Sequence, residues 1–421
     1  MAKWMEIRKG ADFQAISSRF QITPFTARLI RNKDIVGEKE IEEYLHGGLT
    51  DLHPASCMKG VPEASELLRR KIRQKASIRV IGDYDIDGVC ATYILLKGLE
   101  QAGAEVDTDI PDRKKDGYGL NMDLIRRAKE AGVDTIVTCD NGIAAPAEIA
   151  AAREMGMTVI VTEHHELQDT VPQADVIINP RQPDCPYPYK KLCGAAVAWK
   201  LVQQLWEDLG CSREMLYGDL LMFAAFATVG DVMDLTGENR ILVKEGLRQL
   251  QRTGHPGMSA LIEANELPRG RLSAWHIGFV LGPCINASGR LDTAKRALEL
   301  LNTTDPALAS ALAEKLKDLN DERKALTEKG VQEAVEQIEG SGLKDDRVLV
   351  VYLPDCHESL AGIIAGRIRE RYYRPVFILT KGEEAVKGSG RSIESYSMFE
   401  EMSRCRELFL KYGGHPMAAG L

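Results

Sequence analysis

The stretch RVIGDYDIDGVCATYILLKGL, residues 79–99, links a short apolar run to an apolar helical pattern through a turn that carries three aspartates. Asp83, Asp85 and Asp87 occupy alternate positions, and Gly88 follows them. Because carboxylates crowded at the end of a strand repel one another, we expect a cation to hold them. Mg²⁺ and Mn²⁺ prefer such oxygens. The alternative is a solvated turn in which one aspartate caps the helix, and Asp87 is well placed for that.

The composition limits the kind of protein. A chain of 421 residues is too long for one ordinary core, so two or three domains are expected. No run approaches the length of a membrane span, and the start MAKWMEIRKG lacks the apolar part of a signal peptide, which predicts a cytoplasmic protein. The nine cysteines include no CxxC pair, which favours reduced thiols over a zinc site.

The formal charge of −8 argues against a protein that binds nucleic acid with its whole surface, but it allows a local groove. Most basic clusters are solvated helix faces, so none of those present identifies such a groove by itself. The clusters are Arg69, Arg70, Lys71, Arg73 and Lys75, then Arg113, Lys114 and Lys115, and finally residues 367–374.

Short β-branched runs alternate with helical patterns in the first half of the chain. Such alternation predicts right-handed βαβ crossovers and an α/β fold with a doubly wound parallel sheet. The predicted strands are residues 78–82, 106–110, 134–139, 158–162 and 175–179.

Titratable side chains follow three of these predicted strands. Besides the aspartates at 83–87, Asp140 and Asn141 follow the third strand, and Glu163, His164 and His165 follow the fourth. Because the carboxyl ends of parallel strands lie along one edge of a sheet, where such folds bind ligands, we expect these groups to form one site.

Two later segments carry further candidates. Asp231 follows the apolar helical run FAAFATVG, a position that a polar helix end would also explain. Residues 281–294, LGPCINASGRLDTA, are predicted to form a Gly/Ser-rich loop before a helix, in which Asn286, Gly289 and Arg290 could hold an anion.

The second half predicts a long charged helix over residues 305–338, then a strand, a helix and a strand. Two glycine-bearing segments follow, GSGRS at 388–392 and YGGHPMAAG at 412–420, and we expect a second α/β domain shortened at its C-terminus. The predicted division is a helical segment over 1–75, the sheet domain over 76–245, a helical extension with the connecting helix over 246–345, and the smaller domain over 346–421.

Eight ordered strings resemble one known family. They are GDYDIDG at 82, DGYGLN at 116, CDNGI at 139, TEHHE at 162, YKKLCGAAVAWKL at 189, VGDVMDLTGENRILVKEGL at 229, LGPCINASGRL at 281 and GGHPMAAGL at 413. With the DLHP segment at 51–54, they make the chain similar to the RecJ family of single-strand-specific DNA exonucleases, in the DHH phosphoesterase superfamily. The resemblance implies a DHH domain joined by a long helix to a substrate-binding domain.

The resemblance also implies residue roles. The ligands of two divalent cations, Mn²⁺ or Mg²⁺, would be Asp85, Asp87, Asp140, His164 and Asp231. Asp83, Glu163 and His165 would act beside the metals at the reacting phosphate. Substrate contacts would come from Arg113, Asn286, Arg290, Ser389, Arg391 and His415.

The implied activity is hydrolysis of single-stranded DNA from 5′ to 3′ into 5′-mononucleotides, in DNA repair and recombination. Two metal ions can activate water, neutralise the phosphodiester and stabilise the leaving oxygen. The expected partners are single-stranded DNA and a helicase or single-strand-binding protein, and the expected state is a monomer.

The chain departs from the family pattern at Glu163, where the family has Asp, and at Cys284, where it has Arg. Residues 356–359 also stand in place of a Trp-His-Glu-Gly type sequence. Two alternatives therefore stay open. One is a diverged, non-catalytic scaffold that binds nucleic acid or a replication partner, and the other is a DHH phosphodiesterase for short oligonucleotides or cyclic dinucleotides.

Overall fold

A computed structural model describes residues 8–113, 116–117, 119–168, 170–382 and 385–421. Lys114 and Lys115 of the predicted basic cluster, and Tyr118 of the DGYGLN string, lie outside the described residues. The chain divides into two compact units. Unit 1 comprises Met1–Gly289 and Thr293–Glu314, and unit 2 comprises Arg290–Asp292 and Lys315–Leu421. The finer four-part division stays a prediction.

Unit 1 contains a five-stranded parallel sheet in the order β2-β1-β3-β4-β5, which confirms the predicted α/β fold. The strand that follows β1 in the chain, β2, pairs with one edge of β1, and the next strand, β3, pairs with its other edge. In doubly wound sheets this change of edge, the switch point, is where ligands bind. The strands are β1 (Ser77–Ile81), β2 (Glu105–Asp109), β3 (Thr135–Cys139), β4 (Thr158–Thr162) and β5 (Val176–Ile178).

Unit 1 also contains the helices α1 (Phe13–Phe20), α2 (Pro24–Asn32), α3 (Glu38–His46), α4 (Val61–Arg73), α5 (Ile86–Gln101), α6 (Met122–Glu130), α7 (Pro146–Glu154), α8 (Gly194–Leu209), α9 (Leu221–Gly230), α10 (Gly237–Arg252), α11 (Pro256–Ala264), α12 (Ala274–His276), α13 (Gly282–Leu291) and α14 (Ala294–Asn302). Among them, α4, α5, α7 and α8 pack against this sheet. The predicted long helix is α15 (Pro306–Gly340), and the division between the units falls within it.

Helices α5 and α8 pack directly against each other, and α5 is buried along most of its length. Gly98 makes this close approach possible, because a Cβ atom there would lie 2.3 Å from a methyl carbon of Val202. Trp206 fixes the pairing by donating its indole N–H to the Gly98 carbonyl at 2.8 Å. The packing brings the first turn of α5, which follows the aspartate-rich turn, beside the first turn of α8.

A buried ion pair ties the segment around residue 53 to the rest of unit 1. The ammonium of Lys200 lies 3.0 Å from the carboxylate of Glu238, and neither side chain is exposed to solvent. Glu238 also accepts hydrogen bonds from the backbone N–H of His53 at 2.7 Å and from the hydroxyl of Tyr187 at 2.6 Å. Lys200 donates to the carbonyl of His53. Three strings singled out in the sequence, around residues 53, 200 and 238, therefore meet in one polar cluster.

Unit 2 contains a mixed sheet in the order β6-β7-β8-β10-β9, in which β6 and β7 are parallel and the other neighbours antiparallel. Its elements are β6 (Leu349–Tyr352), α16 (Glu358–Tyr372), β7 (Val376–Lys381), β8 (Val386–Arg391), α17 (Met398–Arg404), β9 (Gly413–His415) and β10 (Ala418–Gly420). The glycine-bearing segments GSGRS and YGGHPMAAG therefore supply strand residues to the sheet.

The prediction of a loop over residues 281–294 is wrong, because α13 occupies most of it. Its small residues serve close packing instead. A Cβ atom at Gly289 would lie 2.2 Å from the carbonyl oxygen of Tyr84, so the glycine lets α13 approach the aspartate-rich turn.

The nine cysteines all lie within the described residues and form no disulfide. Among the helices that the structure describes, none has the length and apolar character needed to cross a bilayer.

We predict that Glu238→Ala lowers the free energy of unfolding by about 3–5 kcal/mol, because it leaves the Lys200 charge buried without its partner. Urea unfolding monitored by circular dichroism measures the change. Asp234→Ala is the control, since Asp234 pairs with Lys191 while their side chains are 62% and 57% exposed. It should cost less than about 1 kcal/mol. Equal losses in the two variants would contradict the structural role of the buried pair.

Candidate metal centre

The aspartate-rich turn begins the candidate site at the end of β1. Asp85 caps α5, since its Oδ1 accepts hydrogen bonds from the N–H groups of Asp87 at 3.0 Å and Gly88 at 3.1 Å. The expectation that Asp87 caps α5 is wrong, because Asp87 is the second residue of that helix. Gly88 is required by the tightness of the turn, since a Cβ atom there would lie 2.5 Å from the carbonyl oxygen of Asp83.

Asp87 instead caps a different helix. Its two carboxylate oxygens accept the N–H groups of Gly194 at 2.6 Å and Ala195 at 2.8 Å, the first two residues of α8. The residue before them, Cys193, makes no side-chain capping bond, so these N–H groups need an outside acceptor. The positive end of the α8 dipole thus stabilises the negative charge of Asp87.

His164 lies at the centre of the acidic groups. Its Nε2 is 3.0 Å from Asp140, 3.5 Å from Asp87 and 3.9 Å from Asp231. These three carboxylates come from the end of β3, the start of α5 and the residue after α9. Unit 1 therefore brings together side chains from four separate segments between residues 87 and 231.

All five predicted metal ligands belong to sets of side chains whose ligand atoms lie within 4.8 Å of one another. Asp140 and His164 each belong to two of the sets. Such sharing is expected where two adjacent cations have ligands in common. The sets are Asp140 with His164 and His165, Asp87 with His164 and Asp231, and Asp83 with Asp85 and Asp140.

The donor atoms fit divalent cations. Oδ1 of Asp83 and Oδ1 of Asp140 are buried and form no hydrogen bond, which is costly for a carboxylate oxygen unless a cation binds it. Carboxylate oxygens with one or two imidazole nitrogens suit Mn²⁺ and accept Mg²⁺. We therefore consider the cluster a candidate metal centre.

Burial and mutual repulsion raise the pKa values of the acids when no cation is bound. Burial is the larger cause for each, and the neighbouring carboxylates add to it. The pKa values of Asp83 and Asp140 lie well above the usual range, that of Asp85 is raised, and that of Asp231 is raised to about 8. Burial lowers the pKa of His164, which favours the neutral imidazole that a metal needs.

Glu163 lies beside the centre and holds the two histidines. Its Oε2 accepts the backbone N–H groups of His164 at 2.9 Å and His165 at 3.1 Å, and it lies 2.8 Å from Nδ1 of His165. Burial opposes the charged form of both partners. Burial is the largest single effect, but the hydrogen bond and the attraction of opposite charges together outweigh it, so that the pKa of Glu163 is lowered and that of His165 is raised to about 9. The His165 side chain is 44% exposed, so it can also reach a ligand.

Two residues at the centre have left-handed backbone conformations. Asp140 has φ of 59°, which aspartate tolerates, and Val232 has φ of 58°, which is strained for a β-branched residue. Val232 is 87% exposed and follows Asp231 directly. Such strain at a residue next to a candidate ligand is typical of functional sites.

The predicted substrate residues of unit 1 lie near the turn. The guanidinium of Arg113 lies over the ring of Tyr84, 4.9 Å from its centre. The Oδ1 of Asn286 accepts the N–H of Ile86 at 2.8 Å. This hydrogen bond links α13 to the start of α5. Cys284, on the same helix, is fully buried and donates its thiol to the carbonyl of Val280.

Four predicted substrate residues belong to unit 2. Arg290 donates from Nη1 to the carbonyl of Ser359 at 3.0 Å. The sheet register puts Ser389, Arg391 and His415 on one face, since Arg391 and His415 both pair with Ala418. Arg391 packs against α16, where a Cβ atom at Gly362 would lie 2.7 Å from its Nη2.

Most side chains of the other predicted basic clusters have acidic or carbonyl partners within their own unit. Lys71 lies 2.5 Å from Asp134, and Arg367 lies 2.9 Å from Glu328. These contacts agree with the solvated helix faces that such clusters usually form.

The sequence reasoning missed the backbone donors of Gly194 and Ala195 and the role of Asn141. The Nδ2 of Asn141 donates to the carbonyls of Ile81 and Cys139 at 3.0 Å each, and so links the ends of β1 and β3. The signal for the backbone donors is present in the string LCGAA, a helix start without a Ser, Thr, Asp or Asn cap.

Comparison with known proteins identifies the family. Residues 77–228 match the DHH family, N-terminal domain, and residues 345–421 match the DHHA1 domain. The single-stranded-DNA-specific exonuclease RecJ of Salmonella typhimurium is 37% identical, in a match that covers 100% of this chain and 75% of that protein. This chain belongs to the RecJ family of DHH proteins.

Other members of the family agree. The RecJ of Bacillus subtilis is 38% identical over all of this chain, which spans 53% of that relative's length. The crystal structure of RecJ from Thermus thermophilus in complex with Mn²⁺ has a TM-score of 0.83 at 33% identity and covers 97% of this chain and 58% of its own. A second structure, of exonuclease RecJ bound to manganese, has a TM-score of 0.77 at 37% identity, with coverages of 86% and 90%.

We predict that the effect of Asp231→Asn on the free energy of unfolding of the metal-free protein depends on pH. Relative to the wild type, the variant should be more stable at about pH 8.5 than at about pH 5.5. The folded protein holds the Asp231 proton up to a pKa of about 8. An unfolded aspartate loses it near pH 3.9. The wild type therefore loses stability as the pH rises through this window, whereas asparagine has no proton to lose. Urea unfolding in EDTA at both pH values measures the difference, and a pH-independent effect of the substitution would contradict it.

Proposed function

We propose that the chain is the catalytic part of a metal-dependent 5′ to 3′ exonuclease that hydrolyses single-stranded DNA to 5′-mononucleotides in repair and recombination. The observation that carries the proposal is the overlapping set of acids and imidazoles at the switch point of the sheet, with the buried oxygens of Asp83 and Asp140 left without hydrogen bonds. The family relatives named as single-stranded-DNA-specific exonucleases support the substrate.

The proposed metal ligands are Asp85, Asp87, Asp140, His164 and Asp231, for two divalent cations such as Mn²⁺ or Mg²⁺. When bound, two such cations supply activation of the attacking water and neutralisation of the phosphodiester. The residues themselves prepare the site. Asp87 is fixed by the start of α8, and Asp85 by the start of α5, so neither carboxylate needs to reorganise on binding.

His165 is the proposed proton-bearing group at the phosphate. Its pKa of about 9 keeps it cationic at neutral pH, and it is exposed enough to approach a phosphate oxygen. Glu163 is a positioning residue that sets the orientation and charge of His165. Among the described residues, Glu163 does not belong to any set of clustered candidate ligands, so the extra methylene relative to aspartate need not disturb the metals.

Arg113, Asn286 and Arg290 are the proposed contacts to the DNA backbone, and Ser389, Arg391 and His415 the proposed contacts to its 5′ end. Burial is the main reason that the pKa of Arg391 is lowered, and nearby Arg369 adds to it. A half-buried guanidinium beside a second one would gain from an anionic partner. We also propose a cytoplasmic monomer that works with a helicase or a single-strand-binding protein.

The direct test follows nucleotides released from single-stranded DNA with Mn²⁺ present. A 5′-phosphorylated strand labelled at its 5′ end should release labelled mononucleotide first, and blunt duplex should be resistant. Faster turnover of dinucleotides than of long strands would favour the phosphodiesterase alternative. Absence of both release and Mn²⁺ binding in calorimetry would favour the non-catalytic scaffold.

We predict that Glu163→Gln lowers kcat by about 10- to 100-fold, the usual effect of removing a group that orients residues at a metal site. Glutamine keeps an acceptor for the two backbone N–H groups but loses the negative charge that keeps His165 protonated. Initial rates across pH, together with Mn²⁺ affinity by calorimetry, check this. The loss should grow toward alkaline pH while Mn²⁺ affinity changes much less, and an unchanged rate profile would refute the assigned role.

A further inference from the structure

An exposed aromatic pair lies on the helical run that ends at the candidate metal centre. Trp275 and Phe279 are 59% and 68% exposed, and their rings stack with centroids 5.7 Å apart and planes 25° apart. Large apolar side chains exposed together usually mark an interaction surface. Neither residue belongs to the site described above.

The local backbone holds this pair in place. Trp275 lies in α12, and Phe279 in the π-helical turn Ile277–Leu281 that follows it. Ser273 and His276 form a reciprocal cap at the start of the helix, and the His276 ring meets Trp275 edge-on at 5.3 Å. Turns of this kind are uncommon and occur frequently at functional sites. These local contacts fix the two rings relative to the helix backbone.

The same run is fastened to the metal centre. Beyond the π-helical turn, α13 places Asn286 on the N–H of Ile86, between Asp85 and Asp87. Seven residues separate Phe279 from Asn286, on the order of 10 Å along a helix. A Cβ atom at Gly278 would lie 3.9 Å from Val229, two residues before Asp231, so this turn also contacts the end of α9.

We propose that Trp275 and Phe279 form a stacking platform for the bases of single-stranded DNA that leads to the metal centre. The inference rests on the proposed function and adds a binding surface to it. Stacking on aromatic rings is independent of base identity, which suits an enzyme that degrades any sequence. Arg271, exposed four residues before Trp275, adds the positive charge that a phosphate backbone needs.

The test compares Trp275→Ala/Phe279→Ala with Phe25→Ala, a control whose ring is also 68% exposed but lies on α2. The double variant should raise KM for a long oligothymidylate and Kd for a phosphorothioate oligothymidylate by about 10-fold or more. Its kcat for a dinucleotide should be unchanged, as should all values for Phe25→Ala. The single variant Trp275→Tyr keeps an aromatic ring at this position, and its Kd should stay close to that of the wild type.

Unchanged KM and Kd in the double variant would overturn the platform. The same holds if the variant alters only the sedimentation of the protein, because the pair would then serve contacts between copies of the chain. Fluorescence anisotropy with the phosphorothioate strand needs no hydrolysis. If the wild type degrades no strand but the double variant still loses affinity, the exonuclease proposal fails and the platform stands.

Discussion

The charge of Asp87 is the constraint on which the rest of unit 1 depends. Its carboxylate is fully buried and accepts the first two N–H groups of α8, while its own backbone belongs to the first turn of α5. Gly98 lets α5 approach α8 at Val202, and Gly194 leaves room at the start of α8 for the side chains of Asp87 and Asp140. One carboxylate thus joins helix packing to the chemistry of the site, and its burial is compensated by backbone donors and by the α8 dipole.

The acidic side chains of the site form two groups, which differ in whether backbone N–H groups bind their carboxylates. Asp85, Asp87 and Glu163 are each fixed by backbone N–H groups, so their positions follow from the fold alone. Asp83 and Asp140 keep buried oxygens without such donors, and these are the atoms that most need a cation. The fold therefore stabilises part of the negative charge by itself and leaves the remainder for a ligand to neutralise, which ties metal affinity to pH.

Much of the fold follows from local patterns that the sequence displays. All five predicted strands of unit 1 exist within a few residues of their predicted bounds, because β-branched runs between helical patterns have few other solutions. The site was predictable as a set for the same reason, since parallel strands share one edge. Helix α13 was not, because Gly282, Ser288 and Gly289 resemble a loop locally. In the structure Gly289 is small to fit against Tyr84, and Gly282 to fit against Ile86. The strand residues of GSGRS were missed since their glycines pack under Met398 and Leu379 in the folded sheet.

The buried cluster around Glu238 has a consequence for where the chain can be cut. His53 contributes only main-chain atoms to the hydrogen bonds with Glu238 and Lys200, so residue 53 could change in identity without losing them. A shortened protein that begins with the first strand would keep both charged side chains but lose those main-chain partners. The segment around residue 53 is therefore held to α8 and α10 by contacts that a cut between it and β1 would remove.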